Sequence, residues 1–138
     1  MKLKHFQLQV QSWMLRVFGA EVSGNRQERG FRFFEEALEL VQANGMTKAQ
    51  VLELVEYTYG REVGLVSKEI PQVLLTLSAL ASAHDVSLDY VTEKELTRIW
   101  DTNLIKKIQA KWKTKPHGSA LPQSVTSPEA GQNISTPR

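Results

Sequence analysis

RFFEEALEL, residues 32–40, decides how this chain folds. It sets three glutamates, Glu35, Glu36 and Glu39, among large apolar side chains, with no alternation of period two. On a helix, with Glu35 at zero, Glu39 falls at about 40°, Arg32 at about 60° and Glu36 at about 100°. Phe31, Phe34, Leu38 and Val41 fall between about 240° and 320°. Acids and Arg32 therefore share one face and the apolar groups another, the signature of an amphipathic helix. Such an acidic face has two readings. It is a solvated surface on which Arg32 makes i,i+3 and i,i+4 pairs worth about 0.2–0.5 kcal/mol each, or it is half of a metal site.

The same periodicity extends outward. Phe6, Val10, Trp13, Val17 and Phe18 recur at spacings of three and four, which predicts a first helix over about 3–19. Ser23, Gly24 and Asn25 follow as turn or N-cap residues, and the second helix is expected over about 25–44, stopped by Asn44-Gly45. Thr47 can cap a third helix ending at Gly60. Ser67 can cap a fourth and Ser87 a fifth, the last running without a break to Trp112. There is little strand-like alternation and no internal repeat, so the expected class is all-α, a bundle of four or five helices.

After Trp112 the composition changes. The final segment holds four of the five prolines and few large apolar groups. It cannot bury enough surface to offset its ordering entropy. Residues 1–115 are expected to form the helical domain and 116–138 a flexible Pro/Ser-rich tail.

Composition narrows the function classes. Hydrophobic residues make up 41% and charged residues 23%, as in a soluble globular domain. The absence of cysteine removes disulfides, thiolate zinc sites and a cysteine nucleophile. A net charge of +2 is too small to argue for nucleic acid, and the acidic face would repel phosphates unless it held a cation. Lys2 and Lys4 are followed by no apolar run, and no stretch approaches a membrane span, so a cytoplasmic protein is expected. Apolar stripes on several helices exceed what one small core hides, which predicts a homo-oligomer.

The fourth helix adds Glu69, with Gln72 three residues on, the spacing of Glu36 and Glu39. Two such pairs on facing helices would surround one point with hard oxygen donors, the set that suits Mg²⁺. Clustered carboxylates repel one another without a cation.

Together these segments resemble a MazG-like protein of the all-α nucleoside triphosphate pyrophosphohydrolase superfamily. The motif of that superfamily is EExxE, a spacer, then ExxD. Glu35-Glu36-Ala37-Leu38-Glu39 matches the first half and Glu69-Ile70-Pro71-Gln72 the second, except at Gln72. The flanking RF, the LTLSALA that follows and even KPHGSALP add to the likeness, which covers about residues 8–115. The resemblance implies a Mg²⁺-dependent enzyme, with Mn²⁺ as a possible substitute. It would cleave an NTP or dNTP between the α and β phosphates, leaving the monophosphate and pyrophosphate. It implies a helical bundle assembled as a dimer or tetramer, with sites at or near the subunit interface. Carried over by position, Glu36, Glu39, Glu69 and Gln72 would hold the metal, and Glu35 would be an auxiliary acid. Gln72 stands where the superfamily has Asp, and it offers a carbonyl without charge. Pro71, at the fourth position of a helix capped by Ser67, is expected to distort the turn that holds Glu69. The alternative implied is a catalytically lapsed member that binds nucleotide or a partner protein.

The remaining candidates sit elsewhere. Leu96, Trp100, Leu104, Ile108 and Trp112 recur every four residues and read as core or oligomer interface. Lys107 and Lys111, one turn apart, are candidates for triphosphate contact, with Lys106 and Asn103 beside them. By the resemblance, the corresponding helix contributes polar and basic groups to triphosphate binding. Trp13 is a core residue by its position, with stacking on a base as the functional alternative. His5, His84 and His117 show no metal-ligand spacing. No Gly-rich phosphate loop or nucleophile elbow is present.

Overall fold

The computed structural model describes residues 1–115 and 118–123. Six helices follow one another: α1 (Leu3–Gly24), α2 (Arg26–Ala43), α3 (Lys48–Tyr59), α4 (Val66–Ala83), α5 (Leu88–Ile99) and α6 (Thr102–Lys113). Among the described residues there is no strand. No helix among them is long and apolar enough to cross a membrane.

Local chemistry sets most of the boundaries. Asn25 caps α2 by accepting from the Glu28 amide at 3.0 Å. Thr47 and Gln50 close a reciprocal capping box on α3. Ser87 accepts from the Tyr90 amide at 3.3 Å. α2 ends in a Schellman turn, with Gly45 at φ +88° and the Met46 amide bonded to the Val41 carbonyl at 3.0 Å. α4 ends the same way, but the left-handed position is occupied by Asp85 at φ +54°.

Two expectations are corrected, and one holds. The first helix ends at Gly19 as expected, at a non-helical φ of +82° and ψ of 173°, and a further helical stretch follows within α1 to Gly24. α4 begins at Val66 with Leu65 in the cap position, not at a Ser67 cap. The Lys68 and Glu69 amides already bond to the Leu65 carbonyl at 2.8 and 3.0 Å. Pro71 thus lies deeper inside a helix that continues past it. The long fifth helix is two: it breaks at Trp100, and Asp101 caps α6 by accepting from the Leu104 amide at 2.8 Å. A tertiary bond reinforces this local cap. The Ile99 carbonyl, which a continuous helix would bond to residue 103, accepts instead from Trp13 Nε1 at 2.7 Å.

The core gathers Trp13, Met14 and Val17 of α1 with Ile99 of α5. Val10, Phe18, Leu96, Ile105 and Ile108 pack against it. Phe18 stands edge-on to Trp13, with centroids 5.8 Å apart, and 5.9 Å from Trp112. Just before the kink, the Val17 carbonyl accepts from Gln109 Nε2 of α6 at 3.0 Å. The start of α2 joins this group through buried Glu28. α3 buries no residue and α4 only Ala81. The far ends of α2 and α4 meet through Asn44 and His84, 2.7 Å apart.

Candidate functional site

A cavity of about 370 Å³ opens between α1, α2, α5 and α6. Its floor is apolar and aromatic, with Trp13, Met14, Phe18, Ile99 and Trp112. The rest of its lining is charged: Arg29, Arg32, Arg98, Lys111 and Lys115 with Glu35, Glu36 and Glu95. An aromatic lining beside cationic side chains suits a ligand with a planar ring and an anionic chain.

The acidic face of α2 divides into two kinds of carboxylate. Glu35 is saturated by cations. Lys115 Nζ donates to its Oε2 at 2.7 Å, Arg32 Nη1 donates to the same oxygen at 2.9 Å, and Lys111 Nζ lies 3.6 Å from Oε1. The Lys115 hydrogen bond, with the charges of Lys115, Lys111 and Arg32, holds the Glu35 carboxyl below the usual carboxylate range against an opposing effect of burial. Glu36 and Glu39 are exposed and carry no ion pair among the described residues. Glu36 faces the cavity and Glu39 does not line it.

Beneath this face lies a buried ion cluster. Glu28, 2% exposed, pairs with Arg32 Nε at 3.2 Å and Arg29 Nη2 at 3.3 Å. Burial pushes the Arg29 guanidinium pKa down while Glu28 opposes the shift. The chain after α6 seals the cluster. Lys115 is 3% exposed. Arg32 Nη2 donates to the carbonyls of Ser119 and Ala120, each at 3.0 Å. Gly118, at φ +68°, passes so close that a Cβ there would sit 3.5 Å from Glu28 Oε2. The Gln123 amide returns to the Thr114 carbonyl. Of the tail expected to be flexible, residues 118–120 lie against α2, and Gln123 returns to the end of α6. Residues 116–117 and 124–138, including His117, lie outside the described residues.

The structure brings together Glu35, Glu36, Lys111 and Trp13 of the residues singled out by sequence. Trp13 is a core residue, as its position in α1 predicts, and it also lines the cavity. Lys107 and Asn103 are exposed on α6 and do not line the cavity. Glu69 and Gln72 are exposed on α4. Among the described residues no three carboxylate or imidazole side chains gather closely enough to hold a metal ion. One chain therefore does not bring Glu69 to Glu36 and Glu39. Sequence reasoning missed Glu28, Arg29, Arg98 and Lys115. Arg29 and Arg32 share a helix face with Glu28 and Glu35, a signal present in the spacing. Nothing in the sequence marks Lys115 as buried.

Compared with known proteins, the chain matches no family model, no curated protein and no solved structure.

Proposed function

We infer that the chain is a Mg²⁺-dependent nucleoside triphosphate pyrophosphohydrolase of the MazG-like all-α type, cytoplasmic and homo-oligomeric. The observation that carries this reading is the cavity. It is lined by the aromatic rings of Trp13, Phe18 and Trp112, by Arg98 and Lys111, which would meet phosphates, and by Glu36. The motif that Glu35, Glu36, Glu39 and Glu69 share with the superfamily supplies the reaction class.

The donor set on α2 fits Mg²⁺. Glu36 and Glu39 are exposed oxygen donors three residues apart, and the charge of Arg98 reaches Glu36 across the cavity. Mg²⁺ commonly binds through one or two carboxylates, waters and substrate phosphates. When bound, the metal would neutralise the phosphate chain and acidify an attacking water. Glu35 does not compete for it, because its oxygens already serve Lys115, Arg32 and Lys111. Its role is to hold those cations in place beside the phosphates. Arg98 is oriented by Glu95, whose Oε2 accepts from its Nε at 2.7 Å. Lys111, two-thirds exposed, is the cation freest to swing onto a phosphate. The exposed apolar groups of α3 and α4 support assembly, on which the helical bundle would be completed.

A second reading is favoured by Gln72. Without a carboxylate there, the chain is a lapsed member that binds nucleotide or a protein partner and does not turn it over. Pyrophosphate release from the eight common NTPs and dNTPs, with Mg²⁺ and then Mn²⁺, tests both. Release from at least one supports the enzyme. Nucleotide binding by calorimetry without release supports the lapsed member.

A further inference from the structure

The segment after α6 holds few large apolar groups, yet it is tied to α2 by hydrogen bonds. What it ties down is one ion network. Glu28 pairs with Arg29 at 3.3 Å and Arg32 at 3.2 Å, and Glu35 pairs with Arg32 at 2.9 Å, Lys115 at 2.7 Å and Lys111 at 3.6 Å. Four cations meet two carboxylates, which leaves two positive charges in excess. All four cations line the cavity, whereas Glu28 lies outside its lining. Glu36, elsewhere on the lining, offsets one charge, and Arg98 is paired with Glu95.

The segment steers one of these cations, supplies another and adds no acid, since residues 114–123 contain neither Asp nor Glu. The Ser119 and Ala120 carbonyls accept from Arg32 Nη2. A carboxylate in their place would orient the guanidinium and also neutralise it. A carbonyl only orients it. Lys115 belongs to the segment itself and is almost fully buried, with its ammonium on Glu35. Gly118 allows the close approach: it sits at φ +68°, and a Cβ there would lie 3.5 Å from Glu28 Oε2.

We propose that Lys115 and residues 118–120 are part of the cavity's anion-binding wall, holding Arg32 and Glu35 so that Lys111 stands ready for a polyphosphate chain. Ser119, Ala120 and Arg32 are positioning residues, and they act through Glu35 on Lys111. A long cation left free in water loses rotamer freedom when it binds an anion. One already held by the protein does not, and its charge needs no reorganisation when the ligand arrives. The inference rests on reading the cavity as a phosphate site, and it adds the segment after α6 to that site.

Inorganic triphosphate in buffer without divalent metal is the probe, so that neither a base nor a metal enters. Calorimetry is expected to show binding by the wild type that Gly118→Val weakens about tenfold, because a β-branched residue is strained at this φ. Lys113→Met removes a charge from the same helix outside the lining and is expected to bind like the wild type, which separates positioning from net charge. The chain has no cysteine, so the thiol of Ser119→Cys can be labelled alone. Ser119 does not line the cavity, so a bound anion does not cover it directly. Triphosphate is nevertheless expected to slow the labelling, since a segment that favours the anion must be favoured by it to the same factor. A segment that only shields the Glu28 cluster would show no such linkage. No triphosphate binding by the wild type, equal affinity in Gly118→Val, an equal loss in Lys113→Met, or labelling indifferent to triphosphate each overturns the proposal. If Gly118→Val does not fold, the labelling decides. Failure of the hydrolase reading shows separately, as these responses to triphosphate without pyrophosphate release from any nucleotide.

Discussion

α1 and α4 are comparable helices with opposite fates. α1 buries Trp13, Met14 and Val17, and α4 buries only Ala81. Around α1, polar groups find tertiary partners: the Trp13 N–H reaches the Ile99 carbonyl, and Gln109 reaches that of Val17. On α4 the hydroxyls of Thr76, Ser78 and Ser82 turn back to carbonyls of their own helix, as such residues do when nothing else is near. Apolar content states that a helix must be covered. It does not say by what, and here one half of the chain covers itself while the other half does not.

The widest gap between the halves should appear at Trp13. Trp13→Ala removes the centre of the core and orphans the Ile99 carbonyl, at a cost of about 3–5 kcal/mol. Urea unfolding should show that loss at every protein concentration. With the homo-oligomer proposed above, the wild-type melting temperature should in addition rise with concentration, since association would stabilise the α4 half. A melting temperature independent of concentration would break the comparison.

Lys115→Met sharpens it at the sealed end of the site. The variant leaves Glu35 with Arg32 and Lys111, so the loss should lie near the lower end of the range of about 1.5–3 kcal/mol for hydrogen bonds to charged groups. Its pH dependence has a definite sign. The Glu35 pKa is lowered in the native state, so its contribution is present above the ordinary carboxylate range and is lost as pH falls through the lowered value. Thermal melts from about pH 7 to pH 3 should fall less steeply at the acid end for Lys115→Met than for the wild type. Identical acid limbs would mean that Lys115 does not hold Glu35.

Two smaller changes test the helix ends. Asn25→Ala should cost about 1 kcal/mol by freeing the Glu28 amide at the start of α2. Asp85→Gly should gain up to about 1 kcal/mol, since Asp85 occupies a left-handed position at the end of α4. Denaturant melts resolve both. A loss on Asp85→Gly would show that the Asp85 side chain makes a contact worth more than the strain.

Much of the fold was legible because it is local. The helical class followed from period, and Asn25, Thr47, Ser87 and Asn44-Gly45 act within one turn of the residues that carry them. The break at Trp100 was misread where a distant group meets it: Leu96, Trp100 and Leu104 keep a helical spacing, but the Ile99 carbonyl goes to Trp13, whereas the start of α4 is set locally, at Leu65. The candidate site divides the same way. The acidic face of α2 was visible in RFFEEALEL, but its acids look alike in sequence.

Sequence by itself determined that this chain is helical, where most of its helices are capped, and that one face of α2 is acidic, because hydrogen bonds between residues three and four apart carry that information. Only the tertiary structure decided which acids are spent and which are open. Glu35 is bound by Lys115, 80 residues away in the chain, and Arg32 by the carbonyls of Ser119 and Ala120. Those pairings depend on where a tail returns to a helix face, and no periodicity in a sequence encodes that return.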